Sequence, residues 1–297
     1  MNTETPCALY LQRLAESGRR SMLSQLTVVR KMMEWPAPTE EQPFHTLGYV
    51  AIECLKRKRL AEGKSPRTIN HLLNGLKCIV KTALLMGLVD EKQWIQVQAV
   101  KPLKLDPHPH GKALVSSSVR LLLTQCRKDT RPIGIRDTAI LAVFLATGLR
   151  RSELAKLQVG DYDIKEQKVN VISGKGNKSR FQFLPDWVVP ELNKWLLVRG
   201  LTEGSLFNPF TGGKVNVSNP ISASSIYYVV TTRTAEIDGQ QCSPHDLRRT
   251  YISELLTQDV DLLTVSKMAG HASVTTTQIY DKRDSKFMQQ AITKLKY

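Results

Sequence analysis

The sequence has no N-terminal apolar segment of the signal-peptide type, so a secreted protein is not expected. Its apolar runs are short. The longest, Ala139-Ile140-Leu141-Ala142-Val143-Phe144-Leu145-Ala146, falls far below the ~20 residues a spanning helix needs. Five cysteines (Cys7, Cys54, Cys78, Cys126 and Cys242) are scattered, odd in number and without CxxC spacing. That argues against a disulfide framework or a cysteine zinc site and for a reducing cytoplasm. They read as ordinary side chains. No Walker A sequence, acidic metal cluster, internal repeat or low-complexity tract is visible. His108 and His110 sit close together, but no Cys or acidic cluster joins them, and a metal site needs more ligands. No metal and no cofactor are therefore expected. Acidic residues are also in short supply. There are 27 Asp and Glu against 42 Lys and Arg, a formal charge of +15. Such an excess favours a polyanionic partner, nucleic acid first and an anionic membrane surface second.

At 297 residues, with 41% hydrophobic and 23% charged residues, the chain can bury a good core and is expected to form two domains. The first third reads as helical. Apolar residues recur at helical spacing over Tyr10 to Ala15 and Met22 to Trp35, and Trp35-Pro36-Ala37-Pro38 breaks the pattern. A third helix is expected over Leu47 to Leu60. Ser65-Pro66 opens a fourth, since Ser is a good N-cap and Pro suits the first helical position. Its apolar stripe runs Ile69, Leu72, Leu73, Leu76, Ile79, Val80, Ala83, Leu84, and Gly87 closes it. A short helix follows from Asp90. Residues 1–100 are thus one domain. Pro102, Pro107, Pro109 and Gly111 make 101–111 a linker. Residues 112–297 are the second domain. There a capped helix is expected over Ser116 to Cys126 and a buried one over Ile135 to Leu145. Gln167 to Ile172 and Arg180 to Leu184 alternate as two strands around a turn at Gly174 to Asn177. Helices follow at Val188–Val198, Ala223–Ala235, His245–Thr257, Asp261–Met268 and Ser273–Tyr280. The fold class is mainly α with a small antiparallel β-sheet.

The residues that carry chemistry lie in the second domain. One basic cluster is Ala146-Thr147-Gly148-Leu149-Arg150-Arg151-Ser152-Glu153-Leu154, and another is Gly174-Lys175-Gly176-Asn177-Lys178. A third group comprises Pro244-His245-Asp246-Leu247-Arg248-Arg249, then Gly270-His271 and Tyr280. An arginine fork can grip a phosphate oxygen where lysine cannot copy it. A cation at a helix start opposes the helix dipole, so Arg150 needs another reason to be there. His245 and Arg248 are spaced to share one helix face. Glycines let the Lys175 turn approach a ligand closely. A phenol is poorly ionised at neutral pH and needs electrostatic help to act as a nucleophile. Phosphate-holding cations plus a tyrosine hydroxyl are the parts required for phosphodiester transesterification.

These motifs, in this order, resemble the catalytic domain of the tyrosine site-specific recombinases, the phage integrase family, over roughly residues 112–297. The N-terminal helices resemble that family's core-binding domain more weakly. The resemblance implies that Arg150, Lys175, His245, Arg248, His271 and Tyr280 are catalytic. Arg150 and Arg248 would hold the phosphate, His271 would donate to it, His245 would assist proton transfer and Lys175 would protonate the leaving 5′-oxygen. Tyr280 would be the nucleophile, and Glu153 would orient the arginines. Alanine at position 269 departs mildly from the family's usual Leu-Gly-His pattern. The resemblance also implies a 3′-phosphotyrosyl intermediate, resolution of a Holliday junction, and a homotetramer on duplex DNA. A C-terminal exchange helix carrying Phe287, Ile292 and Leu295 would dock on a neighbouring protomer.

DNA contacts are less sharply marked. Arg67, Asn70, Asn74 and Lys77 share the side of the fourth helix opposite its apolar stripe and are the candidates for major-groove entry. Lys56-Arg57-Lys58-Arg59 fits either a backbone contact or a solvated face. Arg151 fits a DNA contact, a surface position or a catalytic one. Lys178 and Arg180 fit DNA contacts or a solvated turn. The helical domain begins near residue 5, which leaves no arm-binding domain before it. The interval from Lys175 to His245 is too short for the insertion of integron integrases. The expected subtype is therefore Xer-like or a simple mobile-element integrase, cytoplasmic and at the bacterial nucleoid. A related recombinase or an accessory DNA-bending protein is a further candidate partner, and no membrane is expected. Two alternatives remain: a non-cleaving DNA-binding protein of the same fold, and a type IB topoisomerase.

Overall fold

The computed structural model describes residues 4–105, 111, 113–172, 179–237, 241–271, 273–281, 289 and 292–293. The chain divides into two compact units, Met1–His108 and Pro109–Tyr297.

Among the described residues the first unit has five α-helices: α1 (Pro6–Gln12), α2 (Glu16–Met32), α3 (Tyr49–Ala61), α4 (Pro66–Leu85) and α5 (Glu91–Gln98). Helix α4 is its axis, packed by α1, α2, α3 and α5. Ser65 caps it by accepting the Thr68 N–H at 3.2 Å, with Pro66 in the first turn. Ile69, Leu72, Leu73, Leu76, Ile79, Val80 and Ala83 are buried along one stripe. Asp90 caps α5 through the Gln93 N–H at 2.7 Å. Helix α1 starts earlier than its apolar spacing suggests. Thr5 accepts the Ala8 N–H and Pro6 fills the first turn, a start signal that outweighs periodicity.

The exposed side of α4 departs from expectation. Asn70 is tied to backbone rather than free at the surface. Its amide donates to the Leu103 carbonyl and its oxygen accepts the Leu103 N–H, both at 2.8 Å. Lys77 donates to the carbonyls of Gln98 and Val100 at 3.0 and 2.7 Å, so it caps the end of α5. Burial, with help from Lys56, lowers the Lys77 pKa below the usual lysine value. Only Arg67 and Asn74 of that set are exposed.

The second unit holds α6 (Ser116–Arg127), α7 (Pro132–Thr147), α8 (Arg151–Leu154), β1 (Tyr162–Asp163), β2 (Lys168–Ile172), β3 (Ser179–Phe183) and α9 (Val189–Arg199). It continues through β4 (Phe210–Thr211), β5 (Lys214–Val215), α10 (Ala223–Ala235), α11 (Pro244–Thr257), α12 (Leu262–Ala269) and α13 (Thr275–Gln278). From Ala139 to Ala146 helix α7 is apolar all round, and Ala139 to Phe144 are fully buried among α6, α9, α10 and α11. Strands β1, β2 and β3 form an antiparallel sheet in that order, with Asn170 opposite Phe181. A separate small core of Tyr251, Ile252, Leu256, Val265 and Ala269 seats α12 on α11.

Three details differ from the sequence pattern. Helix α6 has Val115 at its N-cap and no side-chain acceptor there. The Ser116 hydroxyl instead donates to Glu254 at 3.2 Å. The β4–β5 hairpin was not expected, although Gly212-Gly213 between Phe210 and Val215 is a hairpin signal. The last expected helix, Ser273–Tyr280, is a single turn, as suits consecutive β-branched threonines at 275–277. Among the described residues no helix is long and apolar enough to cross a membrane. Lys175, Lys178, His108, His110, Phe287 and Leu295 lie outside the described residues.

The tie from Asn70 to Leu103 is testable. Asn70→Ala strands an N–H and a carbonyl and should cost about 1–3 kcal/mol in urea unfolding. Asn74→Ala, on the exposed face, should stay within about 0.5 kcal/mol. Equal effects of the two would contradict the assignment.

Candidate active site

The site begins where α7 ends. Gly148 takes φ +58°, and a Cβ there would run into the Tyr251 ring. This left-handed step offers the Gly148 carbonyl to Arg248, whose Nη1 donates at 2.6 Å. Arg150 follows as the N-cap of α8. Its backbone N–H donates to Glu153 Oε2 at 2.8 Å and its Nη1 to Glu153 Oε1 at 2.9 Å. Glu153 also accepts from Arg180 Nη2 at 2.8 Å and Nη1 at 3.2 Å. One buried carboxylate thus sits between two guanidinium groups. Burial pushes its pKa up, but the bonds from Arg180 and from the Arg150 backbone, with both positive charges, outweigh burial and hold it below the usual carboxylate value.

Helix α11 supplies the next pair. Ser243 and Asp246 form a reciprocal capping box around Pro244. Its first turns carry His245 and Arg248 on one face. Arg248 is 3% exposed. Its Nη2 donates to the Ala269 carbonyl at 2.6 Å, while Arg150 Nη2 reaches the Gly270 carbonyl at 3.0 Å. Gln182 donates to the Met268 carbonyl. The final carbonyls of α12, which no helix can satisfy internally, are therefore taken by side chains from β3, α11 and the start of α8. Gly270 turns the chain with φ +66°, and a Cβ there would lie 2.8 Å from the Arg180 guanidinium.

His271 leaves that turn with its N–H on the Ser266 carbonyl at 3.0 Å and its Nδ1 2.7 Å from Thr277 Oγ1. Tyr280 ends the following turn. Its hydroxyl lies 3.4 Å from His245 Nε2, and its ring stacks on His271 at 6.3 Å between centres. Arg249 lies 5.8 Å from the centre of the Tyr280 ring.

The electrostatics record a concentration of positive charge. Burial, then Arg248 and Arg150, pushes His271 down to about 4. Burial, then Arg249 and Arg248, lowers His245. Burial, then Arg150, lowers Arg248 to about 10. Two imidazoles held neutral and two arginines close to them would stabilise an anion placed among them.

Arg150, Glu153, His245, Arg248, His271 and Tyr280, distant in sequence, come together here. Arg180 is a correction. It is not a turn residue reaching outward; its side chain is 15% exposed and bound to Glu153. Arg151 lies apart, exposed, with its guanidinium over Tyr227 at 5.8 Å. Gln182, Arg249, Tyr251 and Thr277 were not anticipated. One signal was available: strand alternation puts Arg180 and Gln182 on the same face, opposite Phe181 and Phe183.

Residues 112–286 match the model of the phage integrase family. The tyrosine recombinase XerC of Alcanivorax borkumensis is 28% identical over 97% of this chain and 92% of its own length. XerC of Corynebacterium efficiens is 31% identical over 79% of this chain and 73% of that protein. Among solved structures, the Tn1549 transposon integrase in complex with a circular intermediate DNA superposes with a TM-score of 0.70 at 16% identity, covering 99% of this chain and 100% of that one. A lambda integrase tetramer bound to a Holliday junction gives 0.69 at 14% identity, covering 95% and 80%.

The charge crowding predicts a pH dependence. The unfolded chain protonates His271 near its ordinary value of 6.5, whereas the folded ring stays neutral down to about 4. Stability from this group is complete at neutral pH and is lost as pH falls through that window, with His245 acting in the same direction. The Tm should therefore fall between about pH 7 and pH 4, and His271→Gln should make that fall shallower. Parallel curves for the two proteins would refute the assignment.

Proposed function

The chain belongs to the phage integrase family, and from that premise we propose that it is a site-specific DNA recombinase that cuts and rejoins DNA through a 3′-phosphotyrosyl link at Tyr280. The observation that carries this reading is the Tyr280 hydroxyl, 3.4 Å from His245 Nε2 and stacked on His271, beside a pair of arginines already fixed by backbone carbonyls.

In this reading the scissile phosphate rests against Arg150, Arg248 and His271. Arg150 is held by Glu153 and Gly270, and its side chain is 45% exposed, so it retains N–H donors for a phosphate oxygen. Tyr280 Oη attacks phosphorus, and its proton passes to His245, which burial keeps neutral and able to accept. The bond from phosphorus to the 5′-oxygen breaks. Lys175 supplies the proton to that oxygen; its role rests on the resemblance of its Gly-flanked motif. The phosphate ester is conserved in the protein–DNA link, so a 5′-hydroxyl of a partner strand can attack it and release Tyr280. Arg180 supports this chemistry indirectly, by sharing Glu153 with Arg150.

Synapsis of two sites calls for several protomers, and a homotetramer on DNA is the assembly we infer. The segment after Tyr280 is the proposed exchange element; Ile292 within it is 66% exposed. The N-terminal unit would grip the duplex through Arg67 and Asn74. The similarity to XerC supports a Xer-like subtype, or a mobile-element integrase of the same size, acting in the cytoplasm at the nucleoid. A related recombinase or a DNA-bending protein is the accessory partner to look for.

Incubation with a nicked duplex carrying a candidate site should trap a covalent adduct that maps to Tyr280. An adduct that persists in Tyr280→Phe would sink the assignment, and relaxation of supercoiled DNA without site preference would favour a topoisomerase instead. Lys175→Ala should cleave an ordinary phosphodiester at least about 100-fold more slowly. A 5′-bridging phosphorothiolate needs no proton on departure and should restore its cleavage. No rescue, with DNA binding intact, would move the acid role elsewhere.

A further inference from the structure

Thr277 is fully buried, and its hydroxyl lies 2.7 Å from His271 Nδ1. It belongs to the turn that presents the tyrosine, since its carbonyl accepts the Tyr280 N–H at 2.9 Å. One side chain therefore joins the histidine to the turn that carries the nucleophile.

A hydroxyl facing an imidazole nitrogen can donate or accept. Two observations fix the direction. Helical threonines commonly spend their O–H on the carbonyl one turn back, as Thr147, Thr234 and Thr250 do here at 2.6, 2.7 and 2.9 Å. The Thr277 hydroxyl has no such bond among the described residues; its recorded partner is Nδ1. The surroundings of His271 give the second. Burial, then the nearby charges of Arg248, Arg150, His245 and Arg180, keep the ring neutral. A neutral ring has one N–H. Were it on Nδ1, the opposite nitrogen would turn a lone pair toward an incoming phosphate oxygen, and the contact would be repulsive.

We propose that Thr277 is a positioning residue that donates its hydroxyl hydrogen to His271 Nδ1, so that the imidazole carries its proton on Nε2 and offers it to the scissile phosphate. The inference rests on the recombinase reading of the site. It adds a link that reading does not contain. One hydroxyl links the tautomer that binds phosphate to the turn that carries the tyrosine, so displacement of the turn also releases the histidine.

The full-length protein with 15N-labelled histidine tests this without any cleavage. His271 should show a bare, hydrogen-bond-accepting Nδ1 and a protonated Nε2 in the wild type and in Thr277→Ser, and this pattern should be lost in Thr277→Val. A protonated Nδ1 in the wild type overturns the proposal. On a nicked substrate, Thr277→Val should slow single-turnover cleavage about tenfold, the effect of one lost buried hydrogen bond, with DNA binding unchanged. Thr277→Ser should recover most of the rate. On a His271→Ala background Thr277→Val should cost nothing more; an undiminished additional loss would mean that Thr277 acts through packing alone, and would overturn the proposal. Should the wild type form no adduct, the recombinase reading fails, while the nitrogen signals still decide the direction of the Thr277 bond.

Discussion

The carbonyl end of α12 is the constraint on which the site depends. A helix leaves its last carbonyls without partners, and its dipole makes that end negative. Here Gln182, Arg248 and Arg150 occupy the carbonyls of Met268, Ala269 and Gly270 in turn. The donors come from β3, α11 and the start of α8, so one helix terminus locks three elements together. His271 is the next residue. Its place relative to both arginines follows from the bonds that hold the arginines, and a change at any donor disturbs the others.

This arrangement uses properties that only arginine offers. Arg248 bridges two carbonyls, of Gly148 and Ala269, with the two arms of one planar group. A lysine could meet one of them as a point charge. Glu153 does the complementary work for Arg150 and Arg180, accepting from both at 2.8–3.2 Å. The charges are nevertheless unbalanced. Arg248 and both histidines shift toward their neutral forms, which is the direction expected where burial and like charges act together. A phosphodiester placed among them would relieve that imbalance. Such an arrangement would direct binding energy at a bound phosphate, where a phosphoryl-transfer site needs it.

Much of the fold was legible in local pattern. The stripe from Ile69 to Ala83, the Ser65-Pro66 start, the Asp90 and Asp261 caps and the alternation of β2 and β3 all act within a few residues, and the helices and strands form where those signals stand. Elements failed where signals were short or in conflict. Apolar spacing pointed to Tyr10 as the start of α1, while the cap at Thr5 begins it earlier. The threonines at 275–277 shorten α13 to one turn. The hairpin at Gly212-Gly213 is too small for periodicity to reveal.

The sequence alone singled out the candidate site. Arg150, Lys175, His245, Arg248, His271 and Tyr280 stand in motifs whose residue types suit phosphate binding and a phenol nucleophile, and the fold brings all of them but Lys175, which lies outside the described residues, to one place. Tertiary structure decided where each basic side chain is held, because its partners lie on other elements that no local pattern can name. Asn70 and Lys77 look like DNA-reading residues on a polar helix face, and the fold ties them to the backbone at Leu103, Gln98 and Val100. Arg180 looks like a turn cation, yet strand alternation turns it inward to Glu153. Thr277 carries no signal at all until the chain folds and puts its hydroxyl against His271.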